Sequence, residues 1–117
     1  MDAKGLFVVL ACVLVSGMAV ANNEGAQRPK DVVSVCFTNS ALVSWSSVSQ
    51  GNLTGYNVFR KASSESNYTL SNPNPVVETS YMVASLSGST VYEFRVTAVY
   101  DDGRSSSMSD PTVCTTG

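Results

Sequence analysis

The sequence predicts an all-β fold, an antiparallel sandwich of about seven short strands, and three observations carry that expectation. From residue 29 onward Val, Thr, Tyr, Phe and Ser dominate, and apolar residues alternate with polar ones at the period of half-buried strands. The alternating runs are short and separated by clusters of Gly, Pro, Asn, Asp and Ser, which favour turns. No helical period appears after the first 21 residues.

The elements follow in order. Asp31 to Phe37 reads as a first strand of two possible parities. Either Val33, Val35 and Phe37 face inward, which buries more apolar surface and turns Cys36 away from the core, or Val32 and Ser34 do. Ala41 to Ser46 is a second strand with Ala41, Val43 and Trp45 on one face. Gly51 to Gly55 is a turn, and Tyr56 to Lys61 is a third strand with Tyr56 and Val58 together. A polar stretch leads to a short segment near Tyr68 to Leu70. The run Asn72-Pro73-Asn74-Pro75 cannot lie in a central strand, because proline has no N–H for the ladder. Thr79 to Ala84 follows, with Tyr81 and Val83 inward. The longest strand is Tyr92 to Tyr100, with Tyr92, Phe94, Val96 and Ala98 on one face and Glu93, Arg95 and Thr97 on the other. Asp101 to Ser107 is a turn, and Ser109 to Thr115 completes the set.

The N-terminal stretch reads differently. Lys4 precedes an unbroken apolar run from Leu6 to Val15, and Ala19 and Ala21 form an A-x-A arrangement before Asn22. That order is the pattern of a secretory signal peptide over residues 1–21. The run is about half the roughly 20 apolar residues that a spanning helix needs, so no membrane span is expected. Residues 22–28 are expected to be a short polar leader, residues 29–116 the folded domain, and the mature chain to be secreted and extracellular.

Cys12 falls in the signal segment, which leaves Cys36 and Cys114 as an even pair in an oxidising compartment. One intramolecular disulfide is the expected state; two buried thiols or an intermolecular bond are the alternatives. Net charge is −2, with seven basic and nine acidic residues dispersed along the chain and Asp101-Asp102 as the only acidic pair. This pattern offers no basic stripe for nucleic acid. There is no histidine, no C-x-x-C in the mature chain and no Gly-rich phosphate loop, so neither catalysis nor a cofactor or metal site is expected. Two sequons, Asn52-Leu53-Thr54 and Asn67-Tyr68-Thr69, make Asn52 and Asn67 candidate N-glycosylation sites.

Trp45 at the end of the second strand, Tyr56 after Gly55, and Leu86 six positions before Tyr92 form an ordered set. With Pro29 at the start and the stretch Leu86 to Val99, this pattern resembles the fibronectin type III family over roughly Pro29 to Thr115. The resemblance implies a seven-stranded immunoglobulin-like sandwich with Trp45, Tyr56, Leu86 and Tyr92 in its core. It implies a tyrosine corner at Tyr92, whose hydroxyl bonds to upstream backbone. It also implies that the first and last strands finish at the same pole, where Cys36 and Cys114 meet. Some members bind integrins through Arg-Gly-Asp on the loop before the last strand. Here that loop reads Asp102-Gly103-Arg104, the reverse order, and integrin binding is not supported.

The expected function is that of a secreted, non-catalytic structural or binding component of an extracellular matrix, the organic matrix of a mineralised tissue such as shell included. Its partner would be an extracellular protein or matrix polymer. The alternative is a soluble extracellular ligand or decoy for a cell-surface receptor. Phe59 and Val99, on the outer side of their strands, are the candidate contact residues.

Overall fold

The computed structural model describes residues 27–49 and 51–117. The expected signal peptide, Cys12 and residues 22–26 of the expected leader lie outside the described residues. Seven strands form two antiparallel sheets: β1 (Lys30–Cys36), β2 (Ala41–Ser46), β3 (Leu53–Ala62), β4 (Thr69–Leu70), β5 (Ser80–Val83), β6 (Val91–Tyr100) and β7 (Thr112–Thr115). One sheet has the order β1-β2-β5 and the other β4-β3-β6-β7. No helix occurs among the described residues.

Alternation along the strands builds the core. Ala41, Val43 and Trp45 of β2 and Val83 of β5 face Tyr56 and Val58 of β3 and the even-numbered residues Tyr92 to Tyr100 of β6. Trp45 packs edge-on against Tyr56, with centroids 5.2 Å apart and planes at 63°. Tyr92 stacks on Phe94. Such aromatic contacts add about 0.5–1.5 kcal/mol each beyond simple burial.

The long central strands β3 and β6 outrun their short neighbours, and buried polar side chains complete their ladders. Where β4 stops, Asn72 takes over: its Oδ1 accepts from Val58 N–H at 2.8 Å, and its Nδ2 donates to the carbonyls of Tyr56 and Asn74 and to Asn57 Oδ1. Before β7 begins, the hydroxyls of Ser109 and Ser106 accept from Val96 N–H and Ala98 N–H. The expected last strand from Ser109 therefore starts as a regular strand only at Thr112. Gly55 lets the Pro75-Val76 segment close on β3, since a Cβ there would lie 2.9 Å from the Val76 carbonyl oxygen.

The expected leader boundary moves as well. Gln27 accepts a hydrogen bond from the Tyr100 hydroxyl through its carbonyl, and Arg28 donates to the Met108 carbonyl. Residues 27 and 28 are thus fastened to the sandwich.

Candidate interaction surface

The face that stands out is the outer side of the β1-β2-β5 sheet. Greater apolar burial favoured Val33, Val35 and Phe37 pointing inward; the structure takes the opposite parity. Val32 and Cys36 pack against the core, Ser34 is half-buried beside them, and Val33, Val35 and Phe37 remain 58%, 55% and 48% exposed. Two constraints fix this choice. Cys36 is bonded to Cys114 with Cα atoms 5.7 Å apart, which requires Cys36 and every second residue before it to face β7. Ser34 follows the same parity, and its hydroxyl lies 3.0 Å from that of Thr112. A bulge between Lys30 and Val33, with Asp31 in the left-handed region at φ 56°, then adjusts the strand's entry.

Register carries the apolar stripe across the sheet. Val35 pairs with Leu42, and Leu42 pairs with Met82. Val35, Leu42 and Met82 therefore form one row, with Val33 of β1 on one side and Phe37, just past the end of β1, on the other. Met82 is 47% exposed, and Leu42 is half-buried between its neighbours. The exposed apolar area is on the order of 400 Å², comparable to the largest patch on an ordinary monomer, which is often functional. The other outward residues beside this row are Ser44 and Ser80; the nearest charges lie one row further on, where Lys30 pairs with Ser46 and the Asp31 carboxylate accepts from the Ser46 hydroxyl at 3.0 Å.

The other outer face is built differently. Tyr68 lies over β3 and β6, its hydroxyl donating to Glu93 and accepting from Arg95 Nε at 3.0 Å. The Arg95 guanidinium and the Lys61 ammonium sit 5.5 and 5.8 Å from its ring centre. Burial, then the Glu93 bond, pushes the Tyr68 phenol above its usual range, against the opposing effect of Arg95. This is a surface whose charges already satisfy one another. Phe59 and Val99, the contact residues expected from sequence, belong to it and are half-buried.

The loops offer less. In the turn at residues 101–104, Asp102 accepts from Arg104 N–H and from its guanidinium at 2.8 Å. These bonds, the backbone one first, hold the Asp102 carboxyl below its ordinary range. Arg104 is thereby tied to its own turn. A cleft of about 450 Å³ between residues 28–32 and Asp110-Pro111 mixes cations with anions, including the Arg28–Asp110 pair at 3.5 Å. Among the described residues no group of His, Cys, Asp or Glu could hold a metal ion, and no helix is long and apolar enough to cross a membrane.

The remaining residues singled out in the sequence are structural in placement. Trp45, Tyr56, Leu86 and Tyr92 are all buried, so Trp45 offers no exposed platform. The Tyr92 hydroxyl accepts from Ser87 N–H at 2.9 Å, the bond of a tyrosine corner. Asn67 is exposed in the loop before β4, and Asn52 is half-buried in the turn before β3. Sequence reasoning missed Leu42 and Met82, and it missed the outward turn of Val33, Val35 and Phe37. The signal was available in Cys36, which shares its parity with Val32 and Ser34.

Comparison with known proteins agrees with this architecture. The family model for the fibronectin type III domain matches residues 27–115. Domains A168-A170 of titin superpose with a TM-score of 0.70 at 26% identity, over 79% of this chain and 32% of that one. The chain thus spans about a third of that titin segment. An Fn3-like protein from Clostridium thermocellum superposes at 0.67 with 22% identity, over 80% of this chain and 95% of that one. A myokine gives 0.67 at 21% identity, over 77% and 96%. No curated protein sequence matches the chain. Modules of this fold are commonly extracellular or binding modules and typically non-catalytic. The chain belongs to the fibronectin type III domain family.

Proposed function

We propose that this protein is a secreted, non-catalytic component of an extracellular matrix that works by binding through the outer face of its β1-β2-β5 sheet. The organic matrix of a mineralised tissue such as shell is one setting for this role. The observation that carries the reading is the uncovered, uncharged apolar row Val35-Leu42-Met82 with Val33 and Phe37 beside it. A chain that needed only to fold and stay soluble gains nothing from such a row on its surface. The Cys36–Cys114 bond supports an oxidising compartment, and the N-terminal signal pattern supports the route to it. On that route the exposed Asn67, and secondarily Asn52, receive N-linked glycans.

The test is the fate of the tagged protein expressed in its own tissue, with medium, cell-surface and insoluble-matrix fractions quantified and each treated with an N-glycosidase. Recovery mainly in the insoluble fraction is expected, with a mobility shift after treatment that Asn67→Gln reduces. Recovery in the medium or on cells would overturn the matrix role in favour of a soluble ligand or decoy. An unchanged mobility would overturn the glycosylation.

A further inference from the structure

We infer that the occupant of the β1-β2-β5 outer face is a second copy of this chain, in a weak, reversible, twofold-symmetric dimer. This rests on the reading of that face as an interaction surface and goes beyond it by naming the partner.

Three features point to self-association. The first is the distribution of bulk. The exposed apolar residues are Val33 and Val35 on β1 and Phe37 just past its end, and the row through Val33 continues as Ser44 on β2 and Ser80 on β5. The face is therefore low at the Val33 end, intermediate along Val35-Leu42-Met82, and raised at Phe37. A twofold axis along the central row lays β1 over β1 in opposite directions and places Phe37 above the partner's Val33. Large then meets small at both ends, as an isologous interface requires. Two β-sheets stack in this manner about 10 Å apart with side chains interdigitated.

The second feature is charge. Each copy carries a net charge of −2, yet no ionisable residue lies among positions 33, 35, 37, 42, 44, 80 and 82; Lys30 and Asp31 lie beyond them, beside Ser46 at the far edge. Two copies can meet there without opposing like charges and without desolvating an ion. Within those rows a foreign partner finds no charged group for directional recognition, only the hydroxyls of Ser44 and Ser80. Shape and apolar contact are all these rows offer, and the chain's own copy supplies both.

The third feature is extent. Two patches on the order of 400 Å² bury about 800 Å² together, below the roughly 1,200–2,000 Å² of stable complexes. The dimer is accordingly a weak one, populated where the protein is concentrated. In a matrix this has a use: a single module has one set of contacts, whereas a dimer presents two and gains avidity.

Sedimentation velocity of the folded, disulfide-intact protein over a concentration series tests this. The weight-average mass should rise reversibly toward twice the monomer mass between about 10 μM and 1 mM, with little dependence on salt because no ion pair is involved. Val35→Arg places a charge on the symmetry axis against its own copy and should weaken association at least about tenfold. Val35 is exposed, so folding is not at risk, and the Cys36–Cys114 bond reports it. Leu70→Arg, on the other sheet and similarly exposed, should leave association unchanged.

A strictly monomeric protein at 1 mM, or association lost with Leu70→Arg but not with Val35→Arg, would overturn the dimer. The two readings fail separately. Monomeric protein whose matrix retention is still lost with Val35→Arg means that the face takes a matrix partner instead. A dimer broken by Val35→Arg with retention unchanged keeps the second copy and removes the matrix role of the face.

Discussion

At the scale of single residues, small polar groups buried at the sheet margins complete the ladders that the short strands leave open. Asn72 answers Val58 N–H, the Tyr56 and Asn74 carbonyls and the Asn57 side chain from one position. Asn72→Ala strands the buried Val58 N–H, while the Tyr56 carbonyl keeps its bond from Val76 N–H, and one unpaired buried donor costs roughly 1–3 kcal/mol. Chemical denaturation should therefore show a loss of about 1–3 kcal/mol, against the roughly 1 kcal/mol expected when Tyr92→Phe removes the corner bond to Ser87. Titration gives a second prediction. Burial raises the phenols of Tyr100 and Tyr68 above 10.0 in the folded state. Their contribution to stability is complete below the unfolded value and is lost as pH rises through the folded ones. Melting temperature should fall above pH 10, and less steeply in Tyr68→Phe, if the variant keeps its fold. Trp45, Tyr56 and Tyr92 were legible as core residues from the alternation of their strands, and Leu86 from the family resemblance. Asn72, Ser106 and Ser109 were not, since the same residue types are ordinary in exposed turns, and only the mismatch in strand length makes them ladder partners.

At the scale of elements, β1 is where local and global preferences compete. Hydrophobic patterning alone favours turning Val33, Val35 and Phe37 inward, whereas the cross-link to β7 turns Val32, Ser34 and Cys36 inward. The bond wins because closing a loop between residues 78 apart restricts the unfolded chain by about 4 kcal/mol in the chain-entropy model, comparable to the apolar burial forgone. Removing it with Cys36→Ser and Cys114→Ser together should lower stability by about 2–4 kcal/mol, read as a shift in denaturation midpoint. Amide exchange should quicken most in β1 and β7, and least in β3 and β6, which keep partners on both sides. The number of strands and the sandwich class were readable from the sequence, and the expected disulfide forms, whereas β3 begins at Leu53, inside the expected Gly51–Gly55 turn. The parity of β1 was not settled by apolar periodicity, because both parities place valines on a face, and the bulge at Lys30–Val33 lies in no recognisable turn motif.

At the scale of the whole molecule, the two outer faces divide the work. One is a closed network of Tyr68, Glu93, Arg95 and Lys61, with the Asn67 sequon in the loop beside it. The other carries an uncharged apolar row left exposed among the described residues. A fold shared by many functions does not assign one, so the role rests on this asymmetry and on the surface it leaves bare. The most direct measurement is the distribution of the wild-type protein and of Val35→Arg among medium, cell surface and insoluble matrix in the tissue that makes it. The account predicts wild-type protein held mainly in the insoluble fraction and Val35→Arg released to the medium. Wild-type protein found mainly in the medium, or equal retention of the two, would contradict it.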